Sequence, residues 1–234
     1  MRLTQFALAA VAALAFQAGI AQAGIVTFSG SDDGASAPGA GSNGAAVSFD
    51  AAASLIGPAS LLTFESQTAT NSSANQTITL NGDVSVNGPA IDIRNTPTCA
   101  VAFCGDNTTS GGSQWLELFG QTATFSFNTP IQYFGAYFGG LQGTAVGQET
   151  ITFNDGSSET VNIPELTGGF AFVGFTDAGA SISSVTISAL GDIISVDDVR
   201  YGPGSAAVPE PTGLALIGLG LIAVKCAIRR RRSS

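Results

Sequence analysis

The 234-residue chain contains no histidine, and this absence excludes several kinds of chemistry at once. Without imidazole there is no Ser-His-Asp or Cys-His nucleophile, no histidine-ligated zinc and no histidine acid-base catalyst. Charged residues are also scarce at 11%, with only eight lysines and arginines, whereas 44% of residues are hydrophobic. The mean hydropathy of +0.32 is high for a soluble protein and indicates membrane-directed segments, and each end of the chain carries one.

The first 23 residues have the order of a secretory signal peptide. A charged start, Met1-Arg2, precedes the apolar run 6–20, and the run ends in Ala21-Gln22-Ala23, with the small residues Ala21 and Ala23 at the cleavage positions. An uncleaved anchor helix is the alternative, but the small-residue end favours cleavage. The sequence therefore predicts passage through the secretion translocon, cutting by signal peptidase and a mature chain that begins near Gly24.

The last 27 residues, 208–234, combine a short motif, an apolar stretch and a basic tail. Val208-Pro209-Glu210-Pro211 is followed by the stretch 212–228 and by the tail 229–234, with Arg229, Arg230, Arg231 and Arg232. As a helix the stretch extends roughly 25 Å, close to the lower limit for crossing a bilayer core of about 30 Å. Four arginines stay on the cytoplasmic side, so the preceding domain is expected outside. A permanent transmembrane tail anchor is the simpler alternative.

This ordered combination resembles the PEP-CTERM sorting signal of Gram-negative bacteria, with Val208, Pro209, Glu210 and Pro211 as its motif residues. The resemblance implies an exosortase as processing partner. It also implies transient anchoring in the inner membrane, followed by delivery to the cell surface or to the extracellular (biofilm) matrix, with exopolysaccharide as a further partner. Each proline disfavours helix in the residue before it, so the motif is expected to be extended and accessible.

The central domain, 24–207, is strongly acidic. Its only basic residues are Arg94 and Arg200, against all the acids of the chain except Glu210, which gives a net charge of about −14. Such a surface repels nucleic acid and anionic lipid and attracts divalent cations. The sequence therefore predicts no nucleic-acid partner, and oxygen-rich sites of this kind suit Ca²⁺.

The cysteines of the domain fit an exported protein. Cys99 and Cys104 are its only pair, and an oxidising compartment favours a disulfide between them. A metal site would need two further soft ligands, which the domain lacks because it has no other cysteine and no histidine.

Twelve short runs of alternating apolar and polar residues predict an all-β fold, an antiparallel two-sheet jelly-roll β-sandwich. One short helix is also predicted, because Phe49, Ala52, Ala53 and Ile56 recur at helical spacing, with Ser42 or Asn43 as its cap. The preceding residues, 30–44, are expected to form a loose loop. The predicted strands are 25–28, 61–65, 77–80, 91–93, 115–119, 123–127, 131–134, 150–153, 160–163, 170–173, 182–189 and 194–201.

The run 191–201 resembles the closing strand of MAM-type and related jelly-roll domains, and Thr63-Phe64-Glu65 is similar to their opening strand. The resemblance implies that opening and closing strands are neighbours, so that Glu65 can meet Asp197 and Asp198. Adjacent residues of a strand point to opposite faces unless a bulge intervenes, and an inward carboxylate needs a cation or several donors. A structural Ca²⁺ on Glu65, Asp197 and Asp198 is therefore predicted; two solvated aspartates at a strand end are the alternative.

Function is predicted to be non-enzymatic, because no catalytic motif is present among the residues of the chain. The alternatives are a carbohydrate- or calcium-binding module and, with two suitably spaced carboxylates, a glycan hydrolase. Four aromatic residues could form a sugar-stacking face: Trp115, Tyr133, Tyr137 and Tyr201, with Tyr137 as the best exposed candidate. For Trp115 a core position is favoured, because Trp115, Leu118 and several phenylalanines alternate as in the interior of a sandwich.

Overall fold

A computed structural model describes residues 24–142, 148–153, 156–189 and 191–202. The predicted signal peptide, with Ala21 and Ala23, lies outside the described residues. So does the whole C-terminal region 208–234, with its motif, its predicted transmembrane stretch and Arg229 to Arg232. Among the residues that are described, no helix is both long and apolar enough to cross a bilayer.

The described chain consists of twelve strands and two helices, and each run predicted to be a strand overlaps one of them. The long helix is α1 (Ala40–Ser54) and the short one is α2 (Val101–Cys104). The strands are β1 (Val26–Asp33), β2 (Ser60–Leu62), β3 (Ala74–Thr79), β4 (Val84–Arg94), β5 (Trp115–Phe119), β6 (Thr122–Ile131), β7 (Tyr133–Gly139), β8 (Gln148–Phe153), β9 (Ser158–Asn162), β10 (Gly169–Thr176), β11 (Ile182–Ser188) and β12 (Ile193–Gly202).

All strand pairs are antiparallel, which confirms the all-β antiparallel class. The hydrogen-bonded order is β1-β10-β7-β12-β5-β4-β6-β11-β8-β9, with β2 on β12 and β3 on β4. The backbone therefore forms one continuous sheet rather than two separate ones. The link is β5, which pairs with β12 on one side and with β4 on the other.

The sheet curls so that its two halves pack face to face around the main core. Phe125 of β6 lies 5.5 Å, ring to ring, from Phe134 of β7, although three strands separate β6 from β7 in the hydrogen-bonded order. Phe127 and Tyr201 make a second such contact at 5.5 Å. Alternation along each strand sends every second side chain into this core.

Helix α1 covers part of the outer face of the sheet through a second, smaller apolar cluster. Phe49 is fully buried there and packs against Phe28, Tyr133 and Phe172. The helix begins at Ala40, earlier than the predicted cap at Ser42 or Asn43. The expected loose loop at 30–44 is also wrong, since those residues belong largely to β1 and α1.

The start of α1 is fixed by Asp32, a residue of the neighbouring strand β1. Its carboxylate accepts hydrogen bonds from the backbone amides of Gly39, Gly41 and Ser42 at 2.8–2.9 Å and from the Ser42 hydroxyl at 2.6 Å. Burial alone would raise the pKa of Asp32, but these hydrogen bonds outweigh it and hold the pKa at about 2. A cap supplied by another element leaves no signal in the helical sequence itself.

Candidate functional site

The segment 98–114 connects β4 to β5 and crosses the outer face of the sheet; it is called the strap here. Gly105 touches β12 and β7, because a Cβ there would lie 2.0 Å from the Ser195 hydroxyl and 2.7 Å from the Gly139 carbonyl carbon. The strap contains α2 and the predicted disulfide Cys99–Cys104, with Cα atoms 5.6 Å apart. The buried Cys104 lies against the sheet, and the exposed Cys99 faces outward.

The strap contacts Asp197 and Asp198 at a bulge in β12. The pairing of β12 with β7 shifts between Asp197 and Arg200, and Asp198 has a positive φ of 47°. This bulge turns both side chains to the strap instead of to opposite faces. The Asp197 Oδ2 atom accepts the backbone amides of Thr108 (2.7 Å) and Thr109 (3.1 Å), and the Thr109 hydroxyl donates to Asp198 Oδ1 at 2.8 Å.

Asp197 is fully buried, and its second oxygen, Oδ1, has no hydrogen-bond partner among the described residues. Burial raises the pKa of Asp197 to about 7, although the amide of Thr108 opposes the shift. The Asp197 carboxyl is therefore expected to titrate near neutral pH, whereas an exposed aspartate titrates near pH 4.

Glu65 holds the other end of the strap. Its Oε1 atom accepts the backbone amides of Ser113 and Gln114, both at 2.8 Å, and the Gln114 side-chain amide donates to the Glu65 carbonyl at 3.1 Å. Leu62 of β2 pairs with Val199 of β12, but Thr63, Phe64 and Glu65, which were predicted to form the opening strand, follow β2 outside the sheet. The strap thus joins Glu65 to Asp197 and Asp198. Within the described ranges, no group of three acids or cysteines is arranged to hold a metal ion.

Two further buried carboxylates lie on neighbouring strands, one under the strap and one under the segment around Thr70, and the sequence analysis did not predict them. Asp92 and Glu117 are directly opposed on β4 and β5, and both are fully buried. Glu117 accepts hydrogen bonds from the Thr98 hydroxyl of the strap (2.9 Å) and the Trp115 indole (3.0 Å). Asp92 accepts from Thr70 and Ser72 and pairs with Arg94. The only sequence signal was an acid between two apolar residues, which equally describes a solvated strand face.

The proposed sugar-stacking aromatics are not available at the surface. Tyr137 is only 6% exposed, so its predicted exposure is wrong: it lies under α1, donates to Asn43 Oδ1 at 2.7 Å and is covered by Arg200. Tyr133, Tyr201 and Trp115 are buried as well. Burial of Trp115 agrees with the favoured interpretation, but the ring lies on the face of β5 that carries Glu117, whereas Leu118 points to the main core on the opposite face.

An uncharged polar groove of about 310 Å³ lies between the segment after β2 and strand β3. It is lined by amide and hydroxyl side chains and by two isoleucines: Gln67, Thr68, Thr70, Gln76, Thr77, Ile78, Thr79 and Ile93. Two of the amide groups are held in place, because Gln67 donates to the Leu80 carbonyl and Gln76 to the Ile91 carbonyl. A second groove of about 670 Å³ contains the Asp50–Arg200 ion pair.

Several solved structures are weakly similar to this chain. TmCBM61, solved in complex with beta-1,4-galactotriose, is 12% identical, with 61% of this chain and 94% of that one covered and a TM-score of 0.37. CBM29_1, a family 29 carbohydrate-binding module from Piromyces equi, is 11% identical over 64% and 93%, with a TM-score of 0.34. The enzymatically active domain of bacteriophage CBA120 tailspike protein 4 is 20% identical over 51% of this chain and only 19% of that one, with a TM-score of 0.30.

These TM-scores are too low to assign a ligand or an activity to this chain. Among curated proteins, none matches it. The C-terminal region does have a family match: residues 207–232 match the model of the PEP-CTERM protein-sorting motif, which confirms the resemblance in Val208, Pro209, Glu210 and Pro211. The chain is therefore an exported protein that carries a PEP-CTERM sorting signal at its C-terminus.

Proposed function

We propose that the protein is a non-enzymatic surface or extracellular-matrix protein of a Gram-negative bacterium. In this proposal an exosortase processes it through residues 208–211 after transient anchoring in the inner membrane. The observation that carries the proposal is the match of residues 207–232 to the sorting motif, which follows an acidic antiparallel β-domain.

The burial of three carboxylates in the domain supports a non-enzymatic role over a glycan hydrolase. A hydrolase needs two carboxyl groups that reach a substrate about 5–9 Å apart. Asp92, Glu117 and Asp197 are fully buried; Thr70 and Ser72 donate hydrogen bonds to Asp92, and the strap donates to Glu117 and Asp197. In this arrangement the three carboxylates hold connecting segments on the sheet rather than face a cleft.

Processing at both ends is the direct test of the sorting proposal. The mass of the protein recovered from the cell surface or medium is expected to lack Met1 to Ala23 and most of 212–234. Intact-protein mass spectrometry checks this. A strain without exosortase is the control and should retain the tail. Surface protein that keeps Arg229 to Arg232 in the normal strain would instead indicate a plain membrane anchor.

A calcium- or carbohydrate-binding module is the second candidate. For calcium, the supporting observation is a pair of buried acceptor atoms without partners in the described chain, Asp197 Oδ1 and Gln114 Oε1. Asp197 contacts Thr108 and Thr109 of the strap, Gln114 lies at the end of the strap that Glu65 holds, and oxygen atoms are the ligands that Ca²⁺ takes. For carbohydrate, the uncharged groove beside β3 offers ordered amide and hydroxyl groups, which suit a neutral polyhydroxylated ligand.

Calcium binding at Glu65, Asp197 and Asp198 predicts a rise in melting temperature. At 100 times Kd the ion should add roughly 2.7 kcal/mol to the free energy of unfolding. Calorimetry of chelator-treated protein with and without millimolar Ca²⁺ measures this, and Asp198→Asn should reduce the increment. Asp83→Asn, at an exposed turn, should retain it. An unchanged melting temperature in the parent protein would exclude the site.

Carbohydrate binding is best examined on a glycan array, with and without Ca²⁺. The groove predicts binding of neutral glycans in preference to uronic-acid polymers, because the strongly acidic domain repels anions. Gln76→Ala should weaken this binding, whereas Gln121→Ala, outside the groove, should not. A response that Gln76→Ala leaves unchanged would place the sugar elsewhere.

A further inference from the structure

Four strands form edges of the described sheet, and three of them carry features that block pairing with another chain. Natural proteins protect sheet edges by short strands, irregular pairing or charged side chains. Strand β2 has only three residues, and β3 has a register shift between Ala74 and Gln76. Strand β9, at one end of the sheet, carries the exposed acid Glu159 at its second position.

Strand β1, at the other end of the sheet, is neither short nor irregular, and its only charged residues are its last two, Asp32 and Asp33. It is eight residues long and pairs with β10 in an unbroken register from Val26↔Thr176 to Asp33↔Gly169. No proline or charged residue precedes Asp32 in the strand. Val26 is 54% exposed, and Thr27, Ser29 and Ser31 are exposed as well. A long, regular, uncharged edge of this kind is a template for adding a further strand.

The absence of charge from the stretch 24–31 allows the same strand of a second copy to pair with β1. Two copies of a domain with a net charge of about −14 repel one another over most of their surface, but the stretch 24–31 carries no charge. Two-fold symmetry makes the same edge self-complementary and pairs residues that lie on the same side of the sheet. A register centred on Phe28 satisfies this condition, with Thr27 opposite Ser29 of the partner. It leaves Asp32 opposite Gly24, so no acids face each other.

We infer that the protein self-associates through β1, which pairs antiparallel with β1 of a second copy around Phe28. The two Phe28 side chains then lie side by side on the face that carries α1, where Phe28 already packs against Phe49 at 5.8 Å. The sheets of the two copies join into one. This pairing does not depend on how the C-terminal signal is processed, so the two proposals can fail separately.

The double variant Thr27→Lys/Ser29→Lys tests this pairing. Both side chains are exposed, so the fold should tolerate them, but in the inferred register each lysine meets a lysine of the partner. Sedimentation velocity of the mature protein over a range of concentrations is expected to show a dimer whose Kd rises at least tenfold in this variant. Circular dichroism and melting temperature report whether the variant is folded.

A control variant and a mixing experiment test whether the effect is specific to the β1 edge. Ser158→Lys/Thr160→Lys places the same charges on the β9 edge, where both residues are exposed, and should leave the dimer intact. An equimolar mixture of Thr27→Lys/Ser29→Lys with Thr27→Glu/Ser29→Glu should restore it, because position 27 of one copy faces position 29 of the other. A parent protein that remains monomeric at all concentrations, a dimer insensitive to the β1 lysines, or no rescue in the mixture of folded variants would each overturn the inference.

Discussion

Gly140→Ala is expected to displace the strap and to destabilise the domain by roughly 2–5 kcal/mol. Gly140 has φ +78°, where a side chain costs about 1–2 kcal/mol. An added Cβ would also lie 2.4 Å from the carbonyl carbon of Cys104 and 2.5 Å from the amide nitrogen of Gly105. These are backbone atoms next to a disulfide and cannot rotate away, so overpacking adds about 1–3 kcal/mol. The midpoint of denaturant unfolding measures the loss.

Gly111→Ala is the matched control for this substitution. Gly111 belongs to the same strap and has nearly the same φ, +76°, but a Cβ there would meet nothing within 4 Å. Its cost should therefore be the conformational part alone, about 1–2 kcal/mol. If both variants lose the same stability, the close contact between Gly140 and the Cys104–Gly105 backbone does not matter.

Trp115 gives a second readout of strap displacement. It is the only tryptophan of the chain, and it donates to the same Glu117 carboxylate that Thr98 of the strap reaches. Lifting the strap would admit water to this pair and shift the fluorescence of Trp115 to longer wavelength. Gly111→Ala should leave the emission of the native state unchanged.

The strands could be predicted because their signal is local. Alternation along twelve short runs depends only on which side chains face the core, and each run overlaps a strand. The β8–β9 hairpin shows that this local alternation also continues through a turn. Thr152 pairs with Ser158, so a loop of odd length joins the two strands and the alternation continues from one to the other on the same face. Gly156 has a φ of +84°, a left-handed conformation that favours glycine.

The site could not be predicted in full, because distant segments cover the outer face of the sheet. Glu117 and Asp92 occupy positions that alternation assigns to solvent, yet the strap and the segment around Thr70 bury them. The prediction that Tyr137 is exposed was wrong for the same reason, because α1 lies over this side chain. The sequence allows a bulge near Asp197 and Asp198 but does not fix its position, which is determined by the pairing of β12 with β7.

The pH dependence of stability should reveal the buried carboxyl of Asp197. Its pKa rises from 3.8 to about 7 on folding because burial disfavours the charged form. The folded state therefore holds a proton that the unfolded state has lost, and stability increases as the pH falls from about 8 to 4. At 1.36 kcal/mol per pKa unit, the contribution is on the order of 4 kcal/mol. Burial also raises the pKa values of Glu117, Asp177 and Asp192, which add to the same trend.

Asp197→Asn isolates the contribution of this residue. Asparagine stays neutral and keeps one oxygen for the amides of Thr108 and Thr109, so unfolding free energies measured in chelator-treated buffer should vary less with pH than in the parent protein. Asp33→Asn is the control. Hydrogen bonds from Thr167 lower the pKa of this exposed carboxyl, so its stabilising effect is lost only as the pH falls below about 4. If the slopes of the parent and Asp197→Asn coincide between pH 5 and 8, Asp197 titrates as an ordinary aspartate.

Added Ca²⁺ gives the complementary result. An ion bound at Asp197 would favour the charged form of this carboxyl. It should therefore stabilise the protein most above pH 7, where the parent without Ca²⁺ is least stable.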